Sequence, residues 1–423
     1  MFQKKIKKIF GVLILLTAGM LTSCGQEQDT DNQETQVYES ASKEEEAVEE
    51  LADATATVVP SVSENETESE STEESKSESE SESTIGENTA AEDMKEKFGE
   101  NCIPEQTFEV ELSEYEGKVY FVSLAPEEAK PEFRMQIVQN GKVLTEIEAY
   151  VPSELEGEKF TSLDAVSFYD VNYDNNTDIV LIETYGDTSF AAVYYGFAAD
   201  AEDYERYFGS QEQLSETISN QVGQLSISEI RNFLSNGKKN GSFESFQDAY
   251  EAVSRLCELE GNGENDYNLI YFNEDDIPEL VAGKNGYYTS LYTYDNGTVY
   301  TLMDRWAYGA MGNVGYEYVA RKNSMRNYNS DYAGAIRYTT YMAMNNRHSW
   351  DTVAEIVTYN FDDVNKNGMP DENEEDSIGY YSVSYIDDKE VSEEECASYD
   401  VGEYEYIKGE MSLEELKAEL RNK

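Results

Sequence analysis

Apolar and polar positions divide the chain into three stretches of different period. Residues 11–21 form an unbroken apolar block behind a basic start made by Lys4, Lys5, Lys7 and Lys8. Residues 25–95 carry no apolar period, and Ser63 to Thr84 is almost wholly Ser and Glu, with Lys76 the only cation. From about Asn101 the chain becomes aromatic and apolar, and its alternation predicts short strands with helices between them.

Phe133 to Val138 and Val143 to Val151, joined by Asn140-Gly141, read as a hairpin with a primed turn. Ser167 to Tyr169 and Ile179 to Thr184 flank a polar loop, and Phe190 to Phe197 continues the strand pattern. Helices are expected at Gln213 to Val222, from Ser226-x-x-Glu229 to Gly237, and at Ser245 to Glu260. The last carries Phe246, Ala249, Tyr250, Val253, Leu256 and Cys257 on one face. The pattern then repeats. Leu269 to Phe272 and Leu280 to Ala282 flank a second polar loop, and Asn296-Gly297 joins Tyr287–Tyr294 to Thr298–Met303. A Tyr- and Gly-rich stretch, Trp306 to Tyr341, follows without assignment. Val353 to Phe361 and Gly379 to Ile386 flank a third polar loop, and Ser392-x-x-Glu395 and Ser412-x-x-Glu415 open two closing helices.

The expected fold class is α+β, with antiparallel β-rich domains and interspersed helices after a disordered acidic linker. The expected division is a signal peptide at 1–23, the linker at 24–95, an N-terminal β-rich domain at 96–225 and a C-terminal α+β domain at 226–423. A linker so polar cannot bury enough surface to offset its conformational entropy, and its charge extends it.

Charge narrows the function. The three stretches 1–23, 24–95 and 96–423 carry +4, −20 and −41, for a net −57. Such a surface repels phosphate backbones, so no nucleic acid is expected as a partner, whereas it attracts divalent cations. His348 is the single histidine, which leaves little room for histidine-based zinc sites or nucleophile–histidine catalysis. No P-loop, GxSxG or HExxH motif is present, and the Gly309–Gly315 stretch lacks the context of a phosphate loop. Cys102, Cys257 and Cys396 are compatible with one disulfide and a spare thiol or with three buried thiols.

Three acidic loops carry the chemistry. Residues 363–374 place oxygen ligands at positions one, three, five, nine and twelve and Gly368 at six. Asp363, Asn365, Asn367, the Met369 carbonyl, Asp371 and Glu374 are the candidate ligands. A hard cation takes six to eight oxygens, and alternate residues on a tight turn aim theirs inward. The spacing matches the EF-hand loop, but the strand-like Ile356 to Phe361 before it makes it more similar to the isolated calcium loops of dockerins. Asp170-Val171-Asn172-Tyr173-Asp174-Asn175-Asn176-Thr177-Asp178-Ile179 resembles the calcium loops of FG-GAP and VCBS repeats. The resemblance implies Asp170, Asn172, Asp174 and Asp178 as side-chain ligands and Asn176 as a backbone ligand, with Asn175 in place of the usual Gly. The third loop, Asn273 to Leu280, looks like a decayed copy, with Tyr271 at the first ligand position. It is expected to be a turn kept for structural reasons. Calcium, in a structural role, is the expected cofactor.

Leu21-Thr22-Ser23-Cys24, behind the basic and apolar start, resembles the lipobox of bacterial lipoproteins. The resemblance implies export, lipidation of Cys24 and anchoring on the extracytoplasmic face of a cell membrane. The wider pattern is similar to that of lipoproteins of clostridia-like Gram-positive bacteria, and it implies no activity. The expected role is a surface binding or scaffolding protein that engages a cell-wall, glycan or protein ligand. The alternatives are an envelope or glycan-acting enzyme, with Trp306, Trp350 and Tyr287-Tyr288 as sugar-stacking candidates, and a substrate-binding lipoprotein of a transporter. An enzyme is the less favoured reading.

Overall fold

The computed structural model describes residues 91–197, 207–261, 263–310, 312–361, 365, 367–370, 381–386 and 389–423. The expected signal peptide, Cys24 and almost all of the expected linker lie outside these residues. Helix α1 covers 91–98. Four antiparallel sheets follow in chain order. The first is β1 (Phe108–Glu111), β2 (Lys118–Leu124), β3 (Arg134–Gln139) and β4 (Lys142–Glu148), in that spatial order. The second is β5 (Phe160–Tyr169), β6 (Asp178–Tyr185), β7 (Thr188–Phe197) and β8 (Tyr207–Ser210).

Three helices come next: α2 (Glu212–Gln221), α3 (Ile227–Ser235) and α4 (Phe246–Gly261). The third sheet is another meander, β9 (Asp266–Ile270), β10 (Glu279–Lys284), β11 (Tyr288–Asp295) and β12 (Thr298–Ala307). The fourth contains β13 (Tyr316–Val319), β14 (Ser324–Asp331), β15 (Ile336–Met344), β16 (Trp350–Tyr359), β17 (Tyr381–Ile386), β18 (Lys389–Val391) and β19 (Glu405–Tyr406). Its order is β18-β17-β16-β15-β14-β13-β19. Helices α5 (Glu393–Ala397) and α6 (Leu413–Asn422) close the chain. The α+β class is therefore correct.

Local chemistry explains the punctuation. Asn140-Gly141 and Asn296-Gly297 both take positive φ at both residues, 51° and 76° and then 48° and 90°. That is the primed turn that suits the twist of a hairpin. Ser392 and Ser412 close full capping boxes with Glu395 and Glu415. Ser226 accepts from the Glu229 amide, and α3 ends on left-handed Asn236, one residue before the expected Gly237.

The second and third sheets are covered on both faces. Along β6, Ile179 and Leu181 enter a core shared with Phe121, Met135 and Ile137 of the first sheet and with Phe133 just before β3. Val180 and Ile182 enter the opposite core, made with α2, α3, α4, α6 and the third sheet. Along β10, Leu280 and Ala282 join that same core, and Val281 joins one shared with β13 and β14 of the fourth sheet. A strand buried on both sides needs a continuous apolar run, which is why Ile179 to Ile182 does not alternate. The largest core draws on residues from Val171 to Leu420, so it crosses the boundary expected at 225–226. No described helix is long and apolar enough to cross a membrane.

Trp306 to Tyr341 yields the end of β12, all of β13 and β14 and much of β15. Tyr316, Tyr318, Asn327 and Tyr341 are buried and Tyr328, Asn329, Tyr338, Thr339 and Thr340 half-buried, which suits a pleated surface without giving an apolar period. The first two strands likewise had no sequence assignment.

Glu183 is the anomaly of β6. It is fully buried, and neither carboxylate oxygen accepts a hydrogen bond, although the nearby Tyr185 hydroxyl slightly favours its charge. Burial pushes its pKa from 4.5 up to about 8. The folded state thus prefers the protonated form, and the stability this confers is fully present below about pH 4.5 and lost as pH rises through about 8. Glu183→Gln is expected to match the unsubstituted protein near pH 4 and to exceed it by about 2 kcal/mol or more at pH 9 in urea melts. Equal pH dependence in the two proteins would contradict this.

Candidate cation site

Loop 170–178 connects β5 to β6, and its side chains fold back on their own backbone. Asn172 Oδ1 accepts from the Asp174 amide at 3.2 Å, and Asp174 Oδ1 from the Asn176 amide at 2.8 Å. Asp170 accepts from the amides of Asp174 and Asn175 through its two oxygens. Asn175, at the position where such loops carry Gly, has φ 65°, and Tyr173 has φ 64°. Asn accepts this left-handed conformation at little cost, so the departure from Gly is absorbed.

The other loops repeat the pattern in register. In 271–279, Asn273 Oδ1 takes the Asp275 amide and Asp275 Oδ1 the Ile277 amide, both at 2.9 Å. In 363–374, Asn365 Oδ1 takes the Asn367 amide at 2.9 Å and Asn367 Oδ1 the Met369 amide at 2.8 Å. Gly368 there has φ 73°. Strand β16 precedes this loop and β17 is the next described element after it, whereas an EF-hand loop lies between two helices. Three of its candidate ligands, Asp363, Asp371 and Glu374, lie outside the described residues.

Position nine closes the loop. Asp178 is fully buried; its Oδ2 accepts from the Val171 amide at 2.6 Å and the Asn172 amide at 3.3 Å, and its Oδ1 from Gly196 at 2.9 Å. Glu279 does the same in the third loop, with Oε2 on the Phe272 amide at 2.8 Å and Oε1 on the Thr293 hydroxyl at 3.4 Å. Gly196 is required on β7, because a Cβ there would stand 2.4 Å from the Thr177 carbonyl oxygen and 2.5 Å from Glu114 Oε1.

Loop 170–178 is gripped from three directions. Asn240, between α3 and α4, donates to Asp170 Oδ2 at 2.8 Å and exchanges hydrogen bonds with the Val299 backbone of β12. Thr301 of β12 donates its amide and hydroxyl to the Tyr173 carbonyl. Glu114, in the turn between β1 and β2, accepts the Thr177 amide at 2.6 Å. Sequence reasoning missed Glu114, Asn240 and Thr301. Nothing in their local sequence separates them from dozens of similar residues, and only the tertiary contact does so.

The electrostatics of the two fully described loops differ. Burial pushes Asp170 up to about 6, holds Asp178 well above the usual carboxylate range and raises Glu114, and the charge of Asp174 adds to each. None of Asp170, Asp174, Asp178 and Glu114 forms an ion pair with Lys or Arg among the described residues. Loop 271–279 does have a cation: Arg321 donates to the Asp275 carbonyl at 2.9 Å and pairs with Asp276 at 3.3 Å. The donor set of loop 170–178, all oxygen and net negative, fits a hard dication. In the present geometry no described group of three or more acidic, His or Cys side chains is gathered tightly enough to hold a metal.

Most of the other candidates pack within the fold. Trp350 donates Nε1 to the Leu302 carbonyl at 2.7 Å and stands edge-on to Phe272, and Trp306 packs on Tyr316 at 5.3 Å. Tyr288 donates to Asn265, whereas Tyr287 is exposed. His348 stacks on Tyr300 at 4.0 Å. Cys102, Cys257 and Cys396 are buried thiols. No protein-family profile matches the chain, and a comparison with curated proteins finds no match.

Asp178→Ala strands the buried amides of Val171 and Gly196. It is expected to cost about 2–6 kcal/mol, at about 1–3 kcal/mol for each of the two unmade bonds. Asp178→Asn, which keeps its acceptor oxygen, is expected to lose less. Chemical denaturation of both variants checks the order, and equal losses would contradict it.

Proposed function

We propose that this chain is a membrane-anchored extracytoplasmic lipoprotein whose folded part is a binding or scaffolding module braced by calcium at loops 170–178 and 363–374. The observation that carries the calcium reading is the cluster at loop 170–178 of buried Asp178 and Glu114 with half-buried Asp170 and Asp174, none of which pairs with Lys or Arg among the described residues. Buried carboxylates are costly to hold charged, and a dication beside them offsets that cost. The register-identical turns of loop 363–374 and its agreement with the calcium-loop spacing support a second site. Loop 271–279, with Tyr271 at position one and Arg321 supplying positive charge, serves as a structural turn.

The anchoring reading rests on the sequence of residues 4–24. Two acyl chains hold a protein durably, since each buried CH₂ contributes about 0.8 kcal/mol and one chain holds only marginally. The acidic chain itself is repelled by anionic headgroups, so it depends on such an anchor.

Calorimetry is expected to show a melting temperature that rises with calcium, as mass action requires. The gain is about 2.7 kcal/mol at a hundred times the dissociation constant. Asp170→Ala combined with Asp363→Ala is expected to remove the rise, and no shift between calcium and chelator in the unsubstituted protein would reject the reading. For the anchor, Cys24→Ser is expected to move the protein from the membrane to the soluble fraction in the producing cell. Unchanged fractionation would refute lipidation.

A further inference from the structure

Asp178 is largely consumed inside loop 170–178. An ionised carboxylate offers about four lone-pair sites, and three of those on Asp178 already face the amides of Val171, Asn172 and Gly196. The residue at which the spacing places the closing ligand is thus turned wholly onto backbone amides; Asp170 also faces three donors, but one of them is the Asn240 side chain, which can turn aside for a metal. A cation in the loop needs another oxygen at that end.

Glu114 offers one from outside the loop. It is 2 % exposed, and its Oε1 is fixed by the Thr177 amide at 2.6 Å and the Ser113 hydroxyl at 3.2 Å. Thr177 is the neighbour of Asp178, and the Gly196 whose amide binds Asp178 lies directly against Glu114 Oε1. Glu114 Oε2 is buried and has no hydrogen-bond partner. A fold does not ordinarily bury a carboxylate oxygen without a donor, because the desolvation cost is left standing. The carboxylate is held by one oxygen at the end of the loop where a ligand is lacking, and its other oxygen is free.

We propose that Glu114 Oε2 is a ligand of the dication in loop 170–178, so that the site is shared between the first and second sheets. This rests on the calcium reading above and sharpens it. The ion would then be held by Asp170, Asn172, Asp174, the Asn176 carbonyl and Glu114, with Asp178 as the residue that shapes the loop. Such a flexible set of oxygens favours calcium over magnesium, which demands near-ideal octahedral geometry. It also makes the loop a joint. Metal binding would tie the β1–β2 turn to the β5–β6 loop, where the described contacts are the hydrogen bonds of Glu114 and Ser113 to Thr177.

The test is calcium titration of the full chain by calorimetry, in an Asp363→Ala background that silences the other loop. Glu114→Gln keeps the acceptor for Thr177 and removes the charge, and it is expected to weaken calcium binding at least tenfold. Glu183→Gln, buried in the same inter-sheet core but away from the loop, is expected to bind normally. Normal binding by Glu114→Gln would overturn the assignment and leave the calcium loop standing. Absence of binding before Glu114 is touched would overturn both. Should Glu114→Gln fail to fold, the unsubstituted protein crystallised with calcium decides the matter. Oε2 at about 2.3–2.6 Å from the ion supports the assignment, and Oε2 beyond coordination distance overturns it.

Discussion

Carboxylates gathered away from water without a cation are among the costliest groups a fold can carry, and at loop 170–178 two buried ones, Asp178 and Glu114, stand with the half-buried Asp170 and Asp174, none of them in an ion pair with Lys or Arg among the described residues. Asp170, Asp174, Asp178 and Glu114 come from two sheets and meet where the third sheet also touches the loop. The loop enters β6, whose two faces support the two largest cores, and it is tied through Asn240 and Thr301 to β12 of the third sheet. A charge cluster at a structural crossroads is a liability unless something neutralises it. That is the physical reason for placing a dication there.

Loop 271–279 shows the alternative solution within the same molecule. It keeps the side-chain-to-amide turns and the buried position-nine carboxylate, yet it has Tyr271 in place of the first acid. Arg321 lies against it, with its guanidinium 4.5 Å from the Tyr271 ring. One loop geometry is therefore stabilised in two ways, by a protein cation in one copy and, on the proposed reading, by a metal ion in another. The shared hydrogen bonds explain why the backbone shape survives when ligands are lost: the shape is made by Asx turns and a position-nine cap, not by the ion.

Much of the fold was legible from sequence because its signals are local. The Asn-Gly turns fixed two hairpins, the Ser-x-x-Glu boxes opened two closing helices, and the apolar face of Ser245 to Glu260 located α4. The fourth sheet was hidden because Tyr, Thr and Asn give no alternation of apolar and polar positions. The first two strands went unassigned, and the core that runs across residues 225–226 follows from which surfaces meet, a property that no window of sequence encodes. For the site, the ligand spacing was visible and its environment was not. Asp178 looked like an equal ligand, and only the folded chain directs it to three backbone amides. Glu114 looked like any other acid of the folded part, and only burial singles it out.

Amide hydrogen exchange on the full chain, with calcium and with chelator, tests the central claim most directly. If a dication braces loop 170–178, calcium should slow exchange most at Asp174, Asn175, Asn176 and Thr177. The effect should extend to the amides of the β1–β2 turn and to Thr301 of β12. Identical exchange in the two conditions, or a change confined to residues far from that loop, would contradict the account.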